Sequence, residues 1–279
     1  MSTEHERRIL ERIEKTGYPL EVDVTDWLIQ RKWSVFPQYP FLDETRTLRS
    51  VDLIASPSPL GTLMDPSDSR SPMLVIECKK SENPWVFYCT HTTPFKTGFD
   101  DLRVRSRGIQ YDSFLQQCPD YPKIKNDHRR IPERLSKKIW QIHLFDSNVP
   151  MAHSCHVTHL NSKKENEDSP DDFRKAVHQL KGAYWALPKE RRSRAVFLTI
   201  VLRGELWEFK RSNDQKRVFP MNHLHYNTLM VAPGNKPYRT DTIPPSIIDI
   251  VTDAYFVDYL SLLEKDIQIC NEIWKLRVP

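Results

Sequence analysis

The chain has 279 residues, with 41 Lys+Arg against 37 Asp+Glu and a formal net charge of +4; 39% of it is hydrophobic and 28% charged. That is enough apolar material for a self-supporting core in one large domain or two small ones. The seven glycines, at 17, 61, 98, 108, 182, 204 and 234, never fall close enough for a dinucleotide-binding loop, a P-loop or a nucleophile elbow. The charged N-terminal stretch carries no apolar segment behind it, and the longest apolar run, Val196 to Leu202, is too short for a bilayer. Five cysteines without a C-x-x-C pair suit a reducing compartment, so a soluble cytoplasmic protein with no membrane partner is expected.

In chain order, Thr3-Glu4-His5-Glu6 has capping-box spacing, Ile9 and Ile13 share a helical face, and Gly17 supplies a stop. Pro19 opens a second predicted helix, on which Glu21, Val24 and Leu28 share one side. Short β-type segments follow, Trp33 to Phe36 and a strand ending at Ser50-Val51-Asp52-Leu53-Ile54-Ala55, then a loop over 56–71. Met73-Leu74-Val75-Ile76-Glu77-Cys78-Lys79 is an apolar run suited to a strand buried on both faces, and it turns abruptly charged. Prolines break up residues 89–170, which read as an insertion containing one candidate strand at Lys138 to Phe145. Asp171 to Leu187 returns to helical spacing, and Val196 to Leu202, Arg203-Gly204 and Glu205 to Lys210 read as a β-hairpin. A core domain over 1–232 is then followed, over 233–279, by a proline-rich linker and an amphipathic helix at roughly 246–274.

Glu-x-Lys occurs twice, at Glu77-Cys78-Lys79 and Glu208-Phe209-Lys210. Residues i and i+2 of a strand share a face, so Glu77 and Lys79 project together where the buried strand ends, and Asp52 ends the preceding strand. Glu208, with no upstream Asp on an adjoining strand, reads as a surface pair. Asp52, Glu77 and the Cys78 carbonyl offer hard oxygen ligands to Mg²⁺, and Lys79 can orient a water or neutralise developing negative charge. A purely structural Glu77–Lys79 ion pair would leave Asp52 as an excess acid at the same strand ends.

The order of a helix bearing Glu21, strands carrying Arg49-Ser50-Val51-Asp52 and Ile76-Glu77-Cys78-Lys79, and a helix with Gln179 and Lys181 followed by a strand resembles the PD-(D/E)xK nuclease superfamily. The run from Glu77 to Trp85 looks like uncharacterised bacterial members of that group. The resemblance spans about residues 18–90 and 171–210. It implies an α/β, restriction-endonuclease-like mixed central sheet flanked by helices, and Mg²⁺-dependent cleavage of nucleic acid, DNA in preference, with Mn²⁺ as a substitute ion. Asp52 and Glu77 match its metal-binding acids, Lys79 its catalytic lysine and Glu21 its supporting helical acid. Gln179 matches loosely, because Tyr184 lies one residue beyond the Gln-x-x-x-Tyr spacing, and no proline precedes Asp52.

Arg49, Lys80, Arg103, Arg105, Arg107, Gln179 and Lys181 are the candidate nucleic-acid contacts, with basic runs at Lys123 to Lys138 and Lys189 to Arg194. Trp85, Phe87 and Tyr88 suit either base stacking or core filling. His153, Cys155, His156 and His159 invite a zinc site, but incidental loop histidines are the preferred reading. The alternative function is a non-catalytic subunit that binds nucleic acid or a protein partner, with the C-terminal helix as a homodimer or docking element.

Overall fold

The computed structural model describes residues 4–14, 16, 18–43, 45–57, 72–90, 149–157, 171–187, 196–212, 215–227 and 247–275. Its helices are α1 (Glu4–Glu14), α2 (Tyr18–Gln30), α3 (Asp171–Ala186) and α4 (Asp253–Lys275). Its strands are β1 (Ser34–Leu42), β2 (Leu48–Ser56), β3 (Met73–Lys80), β4 (Trp85–Thr90), β5 (Met151–Val157), β6 (Val196–Arg203), β7 (Leu206–Ser212), β8 (Gln215–Met221), β9 (His223–Asn227) and β10 (Ile247–Thr252). All ten strands join one mixed sheet in the order β1-β2-β3-β6-β10-β9-β5-β4-β7-β8. The protein is therefore α/β, with a large mixed sheet flanked by helices, and no helix among the described residues is long and apolar enough to cross a membrane.

β3 is buried from Met73 to Cys78 because both of its faces are covered. Leu74, Ile76 and Cys78 lie with Leu20, Val24 and Leu28 of α2 and Phe256, Leu260 and Leu263 of α4. Met73 and Val75 lie on the opposite face with Phe173, Leu180 and Tyr184 of α3. α2 ends where Lys32 adopts a positive φ of 63°, with Trp33 N–H donating to the Leu28 carbonyl and Lys32 N–H to that of Ile29. This is a Schellman closure, and its two outer residues, Leu28 and Trp33, both enter the core. Arg203 ties the layers together, its guanidinium donating to Asp23 of α2 and Asp253 of α4 at 2.7 Å each.

The sequence predicts a hairpin between β6 and β7, but these strands do not pair with each other. β6 runs parallel to β3 and β10, whereas β7 runs parallel to β4 and antiparallel to β8. The β3·β6 ladder continues through Ser81 N–H to the Arg203 carbonyl (3.0 Å) and Trp85 N–H to that of Glu205 (2.9 Å), directly into the β4·β7 ladder. The Arg203-Gly204 dipeptide is thus a bend shared by two adjacent chains, and the hairpin is β7–β8. β1, an edge strand, runs on past Phe36 through Pro37 and Pro40, which an edge tolerates because it need not donate on both sides.

The segments set apart in the sequence reading also contribute. Met151–Val157 is a strand of the sheet, so the stretch called an insertion supplies β5; the candidate strand at 138–145 lies outside the described residues. The helix expected from 246 begins at Asp253, and Ile247–Thr252 before it is a wholly buried strand. A short, mostly apolar run such as Ile247-Ile248-Asp249-Ile250-Val251-Thr252 fits a helix or a buried strand equally well by periodicity alone, and the parallel partner β6 decides it.

A Cβ at Gly204 would meet the Ser81 carbonyl oxygen at 2.6 Å, backbone that cannot swing aside. Gly204→Ala is therefore expected to destabilise the fold by about 1–3 kcal/mol, the usual range for overpacking. Urea unfolding checks this, and an unchanged midpoint would show that the bend relaxes around the added methyl.

Candidate active site

Leu53↔Ile76 is the last pair of the β2·β3 ladder, so Asp52 and Glu77 stand opposite each other one step beyond it. Each carboxylate is bonded into the other's strand. Cys78 N–H donates to Asp52 Oδ2 at 2.7 Å, and Asp52 N–H reaches Glu77 Oε1 at 3.4 Å. Lys79 Nζ donates to Glu77 Oε2 at 2.7 Å, as the shared strand face of residues 77 and 79 requires.

β1 brings a further residue. The β1·β2 ladder keeps its register from Ser34↔Ser56 to Leu42↔Leu48, but the Gln38/Asp52 pair is missing from it. Gln38 there has a positive φ of 49°, an uncommon conformation for a residue with a Cβ. Its amide donates to Glu21 Oε2 of α2 at 2.6 Å, and its carbonyl oxygen accepts from the Ser50 hydroxyl at 3.2 Å. Gln38 thus links the helical acid to the strands. Sequence reasoning missed it, because the predicted strand stops at Phe36 and β1 runs on to Leu42. Gln179 of α3 donates to the Ser50 carbonyl at 3.3 Å, bracing β2 two residues before Asp52.

Glu21, Asp52, Glu77 and Lys79 are therefore brought together. Burial is the largest influence on each carboxyl and raises all three. Asp52 adds to the rise at Glu21, which Gln38 and Lys79 oppose. Lys79, the Cys78 N–H and Gln38 oppose it at Asp52. Glu77 is pushed up to about 8 by burial, against the Lys79 ammonium and with Asp52 adding to the rise. Burial alone would pull Lys79 down, but its ion pair with Glu77 outweighs this and holds it above the ordinary lysine range. Three carboxyl groups facing one ammonium make a donor set of hard oxygens with excess negative charge, the chemistry that suits a divalent cation.

The other candidate residues are spread around this cluster. Cys78 contributes its N–H, while its thiol is buried with the α2 and α4 side chains and held protonated by that burial. Arg49 is exposed and ion-paired with Asp43 at 3.1 Å. Lys80 is bonded to the Glu14 carbonyl at the end of α1. Lys181 is half-buried, and desolvation lowers its pKa. Arg103, Arg105 and Arg107 and both basic runs lie outside the described residues.

Two expectations change, and one pair of alternatives is decided for Trp85 and Phe87. Glu208, read as a surface residue, is buried, with Lys210 at 3.1 Å. Trp85 and Phe87 fill the core against Phe173, while Tyr88 is exposed beside Phe209. The segment holding His153, Cys155 and His156 is strand β5 rather than a loop, and its alternation sends Cys155 and His156 to opposite faces; His159 lies outside the described residues.

Comparison with protein-family models, with curated proteins and with solved structures gives no match.

The unfolded chain releases the Glu77 proton near 4.5, whereas the folded protein holds it to about 8. Between those values the unfolded state binds fewer protons, so stability falls as pH rises. In metal-free buffer the melting temperature is expected to drop by several degrees from pH 4.5 to pH 8. Glu77→Gln, which keeps the shape without the charge, should flatten that slope and raise the melting temperature at pH 8. A wild-type slope of the opposite sign would mean that the carboxylate is well compensated in the fold.

Proposed function

We propose that the chain is a divalent-metal-dependent nuclease of restriction-endonuclease-like architecture, hydrolysing phosphodiester bonds of nucleic acid, DNA in preference. The observation that carries this is the convergence of Asp52, Glu77, Lys79 and Glu21 where the β2·β3 ladder ends. The surrounding order supports it: α2, the antiparallel β1-β2-β3, then α3 and a strand parallel to β3, as the superfamily resemblance implies. Arg49, Lys80 and Lys181, on the elements that carry Asp52, Lys79 and Gln179, are the candidate phosphate-contacting cations among the described residues.

Asp52 and Glu77 would hold Mg²⁺, or Mn²⁺ in its place, with the Cys78 carbonyl and Glu21 in support. Bound there, the ion supplies acidification of a water and offsets charge on the phosphoryl group. The chain's own residues do the positioning. Cys78 N–H fixes the Asp52 carboxylate, Gln38 fixes that of Glu21, and Lys79 is held at 2.7 Å from Glu77. From that anchored position the ammonium orients the attacking water and stabilises negative charge developing on the phosphate oxygens. A module that only binds nucleic acid gains nothing from three desolvated carboxyl groups, since they repel the backbone it must hold.

Purified protein with supercoiled plasmid, linear duplex, single-stranded DNA or RNA should cleave at least one of them with Mg²⁺ or Mn²⁺ and none with EDTA. Asp52→Asn and Lys79→Ala are each expected to lower the rate by about 10²–10³-fold or more without unfolding the protein. Salt-sensitive binding with every substrate intact would reverse the conclusion in favour of the non-catalytic subunit.

A further inference from the structure

On the sheet face covered by α4, away from the carboxylate cluster, lies a second group of ligand-type side chains. His223 and His225 sit two apart on β9 and so project to one face, and His225 is opposite Asp249 of β10 in the antiparallel register. Asp249 is wholly buried, and the two histidines are nearly so. His225 Nδ1 lies 2.8 Å and His223 Nε2 3.4 Å from the same oxygen, Asp249 Oδ1, and one donor atom from each of the three residues fits within 4.8 Å of the others.

We infer that His223, His225 and Asp249 form a zinc site, holding β9 to β10 beneath α4. The donor types are those zinc takes, two imidazoles and one carboxylate. Bonds of about 2.0–2.1 Å in a tetrahedral arrangement place neighbouring donors a little over 3 Å apart, which the two separations bracket. Beyond the donors, the Tyr259 hydroxyl of α4 donates to Asp249 Oδ2 at 2.9 Å and lies 3.1 Å from the Thr199 hydroxyl of β6. The carboxylate's second oxygen is thus held by the protein while Oδ1 faces the imidazoles, the outer bonding that orients a metal ligand. The Tyr255 ring stacks on His223, and Tyr259 meets it edge-on, enclosing the group in aromatic surface. Three protein donors leave the fourth tetrahedral position to a water, so the site is enclosed without being closed by protein ligands. Residues 228–246 separate the two strands in sequence, so an ion shared between β9 and β10 closes a long stretch of chain, where a cross-link stabilises most.

The site does not depend on the nuclease reading, and the test separates them. Full-length protein, free of any histidine tag and stripped with a chelator, is titrated with Zn²⁺ alone, following bound metal by elemental analysis and stability by thermal unfolding. In the Asp52→Asn/Glu77→Gln double variant, which removes the carboxylate cluster as a competing metal site, uptake of about one ion per chain with a raised melting temperature is expected, and a Co²⁺-loaded sample should show the intense visible bands of a four-coordinate site. His225→Ala and Asp249→Asn should weaken uptake at least about tenfold. Failure of the stripped wild type to take up any zinc overturns the proposal even if no variant folds, and so does zinc uptake that is abolished in the folded Asp52→Asn/Glu77→Gln double variant. Either result would make the group a hydrogen-bonded buried cluster only.

Discussion

The parallel pairing of β3 with β6, eight residue pairs from Met73↔Val196 to Lys80↔Arg203, is the constraint on which the rest of the molecule depends. A parallel pair needs a crossover, and α3 provides it, filling one face of the sheet with Phe173, Leu180 and Tyr184. α2 and α4 fill the other face. With both faces covered, β3 is apolar through Ile76, and its first charged residue, Glu77, is still wholly buried, so that carboxyl needs partners inside the fold. Because the β3·β6 hydrogen bonds run on past Ser81 and Gly204 into β4·β7, the same pairing also directs the chain into the second half of the sheet.

What separates the Glu77 cluster from other buried charge is the balance of groups. Glu208-Phe209-Lys210 repeats the tripeptide, is equally buried at its glutamate, and pairs at 3.1 Å against 2.7 Å for Glu77 and Lys79. Lys210 also lies over the Phe219 ring, 5.1 Å from its centre. There the glutamate is ion-paired with the lysine two residues on. At Glu77 two more carboxyl groups face the same ammonium, and desolvation raises all three. Folding concentrates acids there against their own solvation preference, and this conflict between local chemistry and stability is the physical ground for the proposed metal site.

The parts of this arrangement legible in the sequence are those whose signal is local. β3 announces itself as an apolar run ending in Glu77 and Lys79, and α2 and α3 as amphipathic faces. Asp52 was placed opposite Glu77 by strand order alone. The rest depends on distant partners. The segment read as Trp33 to Phe36 runs on through Pro37 as β1 because it lies at an edge, which is invisible locally, and Gln38 lies in that continuation. Arg203-Gly204 carries turn residues, but its glycine answers to the Ser81 carbonyl on another strand. The histidines spaced by three near Pro150 drew attention to a metal, whereas His223-x-His225 has the spacing that a strand converts into a shared face. Nothing near residue 223 says that a strand is there or that Asp249 will lie beside it.

α4 shows why the chain after residue 245 belongs to the same structural argument. It begins directly after β10, and its Asp253 accepts from Arg203 at 2.7 Å while the same guanidinium holds Asp23 of α2. About three turns further along, its Glu264 accepts from Arg31 at 2.7 Å and from the Trp33 indole at 3.0 Å, beyond the C-terminal end of α2. α2 is thereby fixed near both of its ends by partners at one face, and its buried residues Leu20, Val24 and Leu28 set its rotation. Glu21 sits on the first turn of that helix, so its reach toward Gln38 and Asp52 is decided by how α2 is seated, and α4 does much of the seating. The acid that completes the carboxylate cluster thus depends on a helix from the far end of the chain, which also encloses His223, His225 and Asp249.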